Sequence, residues 1–186
     1  DKYAGNLFDI GVFSFDHGKM IACGEGGAVL TNSQEINQFI SSYSDHGHEL
    51  VPDIPRGIDK AIIPGFNYRM TEMQAAVGKV QLKKLKNMIY LNKIRYEILQ
   101  KKLSPKYYVR SLPKHTTSSY DTFLFKVDDF KIREKIINIL KNKGIGTKNV
   151  PDAIRWHCSY FWNHFPDLKD QENSKDCYEL LKKYIA

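Results

Sequence analysis

A chain of 186 residues with 42% hydrophobic side chains is long enough for one large domain or two small ones with real cores. No apolar run approaches the roughly 20 residues that a membrane-spanning helix needs, and the first residues lack the pattern of a secretory signal. The net charge of +7 lies largely in helical stretches such as 79–86, which is typical of a solvated helix face. We therefore expect neither a nucleic-acid partner nor a membrane partner.

The cysteines and histidines show no metal-binding spacing. The three cysteines, Cys23, Cys158 and Cys177, are odd in number and fit a reducing compartment, which predicts a cytoplasmic protein. The six histidines form no H-E-x-x-H pattern, and the cysteines form no C-x-x-C pair. No metal site is expected.

The stretch 11–32 is predicted to hold two short apolar strands around one lysine. Lys19 lies in a polar segment between them, and the glycine-rich residues 24–27 form a tight turn that matches neither a P-loop nor a dinucleotide fingerprint. One interpretation of Lys19 is a solvated amine at a loop tip. The other is an amine that loses its proton and attacks a carbonyl. Ser14, five residues earlier, could then bind the phosphate at the opposite end of a phosphate-bearing aldehyde.

A helix is predicted over 34–44, capped by Asn32 or Ser33, because its apolar residues recur at helical spacing. Residues 45–48 then contain two histidines and lead into a loop rich in Pro and Gly, 51–65. Loops of this length usually carry function or disorder.

The clearest helix start lies at Thr71, because Thr71 and Gln74 have the S/T-x-x-Q form of a capping box. The helix is predicted to run to about Leu103, where Ser104 and Pro105 end it. Such a length is typical of a helix that links two parts of a molecule.

After Pro105 the pattern predicts a separate small unit of strand, strand, helix and strand. These elements fall at 107–110, at 122–127, at about 130–143 and from 145 onward. Gly144 ends the helix at the C′ position, and a final helix begins near Ser174. In the helix over about 130–143, four apolar residues are expected to point inward: Ile132, Ile136, Ile139 and Leu140.

Two segments together resemble one known family. The residues F-S-F-D-H-G-K at 13–19, followed by C-G-E-G-G-A-V-L-T-N at 23–32, resemble the Schiff-base lysine region of the DegT/DnrJ/EryC1/StrS sugar aminotransferases. The run at 65–78 is similar to the second hallmark of that family, G-x-N-Y-R-M-x-E-x-Q-A-A-x-G. These are pyridoxal-phosphate (PLP) enzymes of fold type I.

The resemblance implies that the chain is an α/β fragment of a PLP-dependent transferase of fold type I. Residues 1–85 would be the last part of the large PLP-binding domain. A long connecting helix would lead into 86–186, the small α+β carboxy-terminal domain. Members of the family have a substantial portion before the position of Asp1, which holds the aromatic ring that stacks on the cofactor and the Asp that pairs with its pyridine nitrogen.

The resemblance also implies roles for individual residues. Lys19 would bind PLP covalently and, once released, move a proton during the reaction. Ser14 would donate to the cofactor phosphate. Asn67 would reach the phosphate of a PLP held mainly by the other subunit, so that the active site lies at a homodimer interface. His46, in the loop 46–48, and His157 would contact the sugar, and an ordinary surface or structural role for them stays open.

The implied activity is transfer of an amino group, from glutamate, to a keto or aldehyde sugar (a nucleotide sugar or an octulosonate) for cell-surface polysaccharide such as lipopolysaccharide. The segment 144–153, with Trp156 and His157, resembles the branch that aminates C8 of an octulosonate sugar.

One alternative is a sugar dehydratase of the same family that depends on pyridoxamine phosphate (PMP), in which a His stands in place of Lys19. Another is a truncated homologue that binds without catalysis. Arg69 either binds an anion or forms a structural ion pair.

Overall fold

The structure, a computed structural model, describes residues 2–55, 57–147 and 172–186. The chain divides into two compact units, Asp1–Met88 and Ile89–Ala186, and the boundary falls inside the long helix α2 (Glu72–Leu103). The assignment of 1–85 and 86–186 to the large and small domains of the family stays a prediction.

The first unit begins with an antiparallel hairpin. It contains a short 3-10 helix, Ala4–Asn6, and the strands β1 (Ile10–Ser14) and β2 (Gly27–Thr31). The register pairs Ser14 with Gly27, which confirms the two strands predicted around Lys19. Val12 and Phe13, which alternate between the two faces of β1, are 76% and 41% exposed. The hairpin therefore presents apolar side chains on both faces.

The two helices of the first unit begin at the predicted capping residues. Helix α1 (Gln34–Tyr43) is capped by Ser33, whose hydroxyl accepts from the N–H of Ile36 at 3.3 Å. At the start of α2, Gln74 Oε1 accepts from the N–H of Thr71 at 3.0 Å, and Thr71 Oγ1 accepts from the N–H of Gln74 at 3.3 Å. This reciprocal pair is the predicted capping box, and the helix ends at Leu103 as expected.

The second unit is built on a small antiparallel sheet. Its elements among the described residues are β3 (Tyr108–Val109), β4 (Phe125–Lys126), α3 (Phe130–Asn142), α4 (Glu172–Leu181) and β5 (Tyr184–Ile185). The strand order is β3-β4-β5. Phe125, Val127 and Ile185 form the buried cluster on this sheet. Asp129 caps α3 by accepting from the N–H of Ile132 at 3.0 Å.

Two details of the second unit differ from the sequence predictions. Residues 145–147, where a strand is predicted to begin, are not part of a strand, and the rest of that predicted strand lies outside the described residues. The third strand of the described sheet is β5, whose pairing with β4 joins residues far apart in the chain. Ile132 and Ile139 are 49% and 45% exposed, whereas Arg133 is 1% exposed. Helix α3 buries Arg133 because its Nε donates to the carbonyl of Tyr184 at 3.0 Å and its aliphatic stem packs as an apolar side chain.

Candidate active site

Lys19 lies at the end of a tight turn, residues 16–19, within the loop between β1 and β2. The hairpin ladder continues past Ser14, since the N–H of Phe15 donates to the carbonyl of Gly26 at 2.8 Å. The N–H of Lys19 then donates to the carbonyl of Asp16 at 3.0 Å. The backbone therefore fixes where the Lys19 side chain leaves the loop.

Asp16 connects the two residues that the sequence singled out in this loop. Its Oδ2 accepts from the Ser14 hydroxyl at 3.2 Å and lies 3.5 Å from Lys19 Nζ. Its Oδ1 accepts from the N–H of Gly18 at 2.6 Å. The Gly18 N–H lowers the pKa of Asp16 below its ordinary value, partial burial raises it, and the Ser14 hydroxyl and Lys19 amine lower it further. Asp16 is therefore ionised at neutral pH.

The Lys19 amine is reachable from solvent, because half of its side chain is exposed. A lysine in this position can act as a nucleophile toward a carbonyl once it has lost its proton, while the adjacent hydroxyl can donate to an anion. The structure thus brings Ser14 and Lys19 together, because both side chains contact Asp16 Oδ2.

The loop that carries Lys19 rests on the start of helix α2. Cys23 is buried, and its Sγ lies 3.3 Å from the carbonyl of Glu25. Gln74 Nε2 donates to the same carbonyl at 2.8 Å. Gly26, at a φ of +149°, leaves room for Met70, whose methyl group would lie 2.9 Å from a Cβ at that position. Cys23 therefore packs in the interior of the first unit.

Asn67 belongs to a second cluster, which joins the end of α1 to the segment before α2. The rings of Phe66 and Tyr68 stack at 5.5 Å, and the ring of Tyr43 lies 5.7 Å from that of Phe66. The N–H of His46 donates to the carbonyl of Phe66 at 3.0 Å. Asn67 itself is exposed, as is His46. Two predicted site residues, Asn67 and His46, are therefore held near one another by main-chain bonds.

Arg69 and His48 have structural partners in this second cluster. The guanidinium of Arg69 donates to the carboxylate of Asp45, which supports the structural alternative for this arginine. His48 Nδ1 lies 2.9 Å from Asp59 Oδ1. The side chain of Asp59 is only 3% exposed. His48 therefore fixes the loop after α1, and of the two histidines in the loop 46–48, His46 is the one that stays exposed.

Sequence reasoning missed three residues of the site and could not place a fourth. Asp16 carried a usable signal, because Asp followed two residues later by Gly is typical of a turn closed by the Asp side chain. Gln74 was recognised as a capping residue, but its bond to Glu25 depends on the tertiary fold. Asp45 gave no signal. His157 lies outside the described residues.

Within 2–55, 57–147 and 172–186 no cluster of three or more His, Cys, Asp or Glu could hold a metal ion, and no helix is long and apolar enough to cross a bilayer.

Two solved structures share this fold. The aminotransferase TlmJ from Streptoalloteichus hindustanus gives a TM-score of 0.74 over 98% of this chain and 47% of its own, at 20% sequence identity. An E. coli GDP-4-keto-6-deoxy-D-mannose-3-dehydratase with bound hydrated PLP gives a TM-score of 0.73 over 100% of this chain and 51% of its own, at 23% sequence identity. The fold is therefore the one predicted, a mixed α/β part of a PLP-dependent transferase of fold type I.

The chain belongs to the DegT/DnrJ/EryC1/StrS aminotransferase family, which matches residues 1–181. A GDP-perosamine synthase from Escherichia coli O157:H7 is 28% identical over 157 residues, which are 80% of this chain and 40% of the relative. The chain thus spans about half or less of the length of these relatives. The family and the structure with bound PLP indicate pyridoxal phosphate as the cofactor, in agreement with the sequence prediction.

The residues around Asp16 fit this cofactor. PLP carries an aldehyde and a phosphate, and the loop offers an amine and a hydroxyl that both lie within 3.5 Å of one oxygen atom. Lys19 would hold the aldehyde end and Ser14 the phosphate end. Bound PLP supplies an electron sink for the chemistry at the substrate.

Proposed function

We propose that this chain carries the catalytic lysine of a PLP-dependent sugar aminotransferase. The full-length enzyme would transfer an amino group from glutamate to a keto or aldehyde sugar used for cell-surface polysaccharide. The observation that carries this proposal is the exposed Lys19 amine beside the Ser14 hydroxyl on one loop of a family member. An odd number of cysteines favours a cytoplasmic location.

Lys19 has two tasks in this proposal. Its amine binds the cofactor and, when displaced by the amino donor, accepts and returns a proton at the substrate carbon that carries the nitrogen. The turn closed by Asp16 fixes the point from which the side chain reaches that carbon. Ser14 donates its hydroxyl to the cofactor phosphate and so sets the distance between the phosphate end and the amine.

The active site is proposed to be shared between two copies of the chain. Asn67 is exposed and lies between Phe66 and Tyr68, whose rings stack, so it is available to reach the phosphate of a PLP held by the partner subunit. Exposed apolar side chains such as Val12 and Met73, at 76% and 80% exposure, supply surface for such an interface. Sedimentation of the full-length protein would test the homodimer.

Sugar recognition is proposed to involve His46 and His157. The side chain of His46 is exposed and its main chain is held by the N–H bond to the carbonyl of Phe66, which suits a residue that binds a polar ligand. An octulosonate aminated at C8 is one proposed substrate, because of the sequence of segment 144–153. A nucleotide-linked keto sugar is the other.

A PMP-dependent dehydratase is the second candidate function, because one solved relative of this fold is a dehydratase. The residue at position 19 argues against it. A lysine amine at this position binds PLP covalently, whereas the dehydratase branch of the family is expected to carry His there. Incubation with [15N]glutamate separates the two activities: an aminotransferase places the label in the sugar product, whereas a dehydratase releases the label as ammonia and leaves an unlabelled deoxy sugar.

The central test maps the residue that binds PLP. The full-length protein is incubated with PLP, reduced with borohydride and digested, and the modified peptide is identified by mass spectrometry. We expect the label on Lys19, none in Lys19→Arg, and unchanged labelling in Lys126→Arg, a control at another aspartate-paired lysine. Transaminase activity of Lys19→Arg should fall by about 10²-fold or more. A label on any other lysine would refute the proposal.

A further inference from the structure

Asp16 uses its two carboxylate oxygens for different contacts. Oδ1 accepts from the N–H of Gly18 at 2.6 Å and so closes the turn. Oδ2 receives the Ser14 hydroxyl at 3.2 Å and lies 3.5 Å from the Lys19 amine. One oxygen therefore shapes the loop, and the other holds the two groups that are assigned to the cofactor.

We propose that Asp16 is a positioning residue that holds the Lys19 amine and the Ser14 hydroxyl in place before the cofactor binds and releases both when it arrives. This inference rests on the proposed function. A lysine side chain has four rotatable bonds and loses much conformational freedom when it is ordered. The contact to Asp16 restricts those rotamers in the cofactor-free protein. Because the ion pair is half exposed, it is weak enough to be given up.

The hydroxyl of Ser14 makes this release obligatory. A serine hydroxyl carries one hydrogen and donates to one strong acceptor at a time. It can bond to Asp16 Oδ2 or to a phosphate oxygen, but not fully to both. In addition, the negative charge of the Asp16 carboxylate repels a phosphate that binds to the Ser14 hydroxyl. Asp16 and a phosphate therefore compete for Ser14, and removing the Asp16 charge should strengthen phosphate binding.

Three substitutions of Asp16 separate the tasks of its two oxygens. Asp16→Asn keeps an acceptor for the Gly18 N–H and removes the charge beside Lys19, whereas Asp16→Ala removes both. Asp16→Ser provides a second uncharged variant with an acceptor suited to this type of turn. Asp128→Asn is the matched control, because the exposed carboxylate of Asp128 lies 2.7 Å from the half-buried Lys126, two residues away.

The first measurement is competitive labelling of the full-length protein without cofactor. Trace acetic anhydride is added, and the acetylation of Lys19 relative to Lys126 is read by mass spectrometry. We expect Asp16→Asn and Asp16→Ser to raise Lys19 labelling about two- to fivefold, as fits a weak exposed ion pair. Asp128→Asn should raise labelling at Lys126 instead. The proposal is overturned if Asp16→Asn and Asp16→Ser leave the labelling of Lys19 unchanged and only Asp16→Ala alters it, since Asp16 would then act on the turn alone.

The second measurement uses inorganic phosphate as a probe. Phosphate should protect Lys19 from acetylation at a several-fold lower concentration in Asp16→Asn than in the wild type. Equal or weaker protection would contradict the competition for Ser14. Because neither measurement requires PLP, their outcome is separate from the borohydride map. A label on another lysine in that map would refute the proposed function and leave the contact between Asp16 and Lys19 to be judged by the acetylation ratio.

Discussion

Gln74 Nε2 donates to the main-chain carbonyl of Glu25 at 2.8 Å, and this bond joins the first turn of α2 to the loop of Lys19. The same side chain closes the capping box with Thr71 through its Oε1. One amide therefore uses its acceptor to start the helix and its donor to hold the glycine-rich turn. The segment that carries Asn67 enters the same helix, so Gln74 also limits how far that segment can move from the loop.

Substitution of Gln74 should destabilise the first unit in two separable steps. Gln74→Glu keeps the acceptor for Thr71 and loses the donor to Glu25, so we expect a cost of about 1 kcal/mol. Gln74→Ala loses both and should cost about 2 kcal/mol. Urea unfolding measures the difference. Gln100→Ala, at an exposed position of the same helix, is the control and should change stability by less than about 0.5 kcal/mol. Equal effects of the two Gln74 variants would contradict this division.

Alanine at two glycines of the first unit should have unequal effects. Gly47 and Gly24 both have positive φ, at +83° and +93°, so alanine is strained at either. A Cβ at Gly47 would overlap the carbonyl oxygen of Ile63, whereas a Cβ at Gly24 meets no atom within 4 Å. We expect Gly24→Ala to cost about 1 kcal/mol and Gly47→Ala about 3 kcal/mol or more, measured by chemical unfolding. Similar costs would show that the loop near Ile63 adjusts without penalty.

The bond between His48 and Asp59 predicts sensitivity to acid. Burial raises the pKa of Asp59, but the Gly57 N–H and the His48 ring outweigh it and hold that pKa below its ordinary value of 3.8. A carboxyl group with a lowered pKa stabilises the fold above its ordinary pKa, and this stabilisation is lost as the pH falls through the lowered value.

We therefore expect Asp59→Asn to be less stable than the wild type at pH 7 and to lose less stability below pH ~4. Unfolding curves recorded at several pH values would show the two proteins converging in acid. Parallel curves would mean that Asp59 has the same pKa in the folded and unfolded states.

Arg133 in α3 should tolerate methionine better than alanine. Its side chain is 1% exposed, and its Nη2 has no hydrogen-bond partner among the residues that the structure describes. Burial lowers the pKa of this guanidinium, and Glu134 offsets part of that effect. Methionine keeps an apolar stem and removes a poorly solvated charge, so stability should change by less than about 1 kcal/mol. Arg133→Ala leaves a cavity and should cost about 2–4 kcal/mol by chemical unfolding.

Local signals predicted the helices well because capping depends on residues three positions apart. Ser33 and the pair Thr71 and Gln74 make the bonds expected of them, and these fix α1 and α2 almost to the residue. Strand β5 could not be predicted in the same way, since its pairing with β4 joins distant parts of the chain. The burial of Arg133 could not be predicted from the spacing of apolar residues, because it depends on a hydrogen bond to the carbonyl of Tyr184 in β5.

In the candidate site, too, contacts between residues close in sequence could be predicted and contacts between distant residues could not. Ser14 and Lys19 were found from a motif of adjacent residues, and the structure places both on Asp16 Oδ2. The bond from Gln74 to Glu25 crosses 49 positions and depends on the packing of α2 against the loop. No rule based on spacing connects such residues.

The turn that presents Lys19 is closed by main-chain atoms and by Asp16 Oδ1, and none of these bonds requires the lysine side chain. A different residue at position 19 would therefore stand at the same place above the same loop. A single substitution at position 19 could therefore change the chemistry of the loop with little effect on folding. Proteins with a lysine and proteins with a histidine at this position could then diverge without any change in the turn.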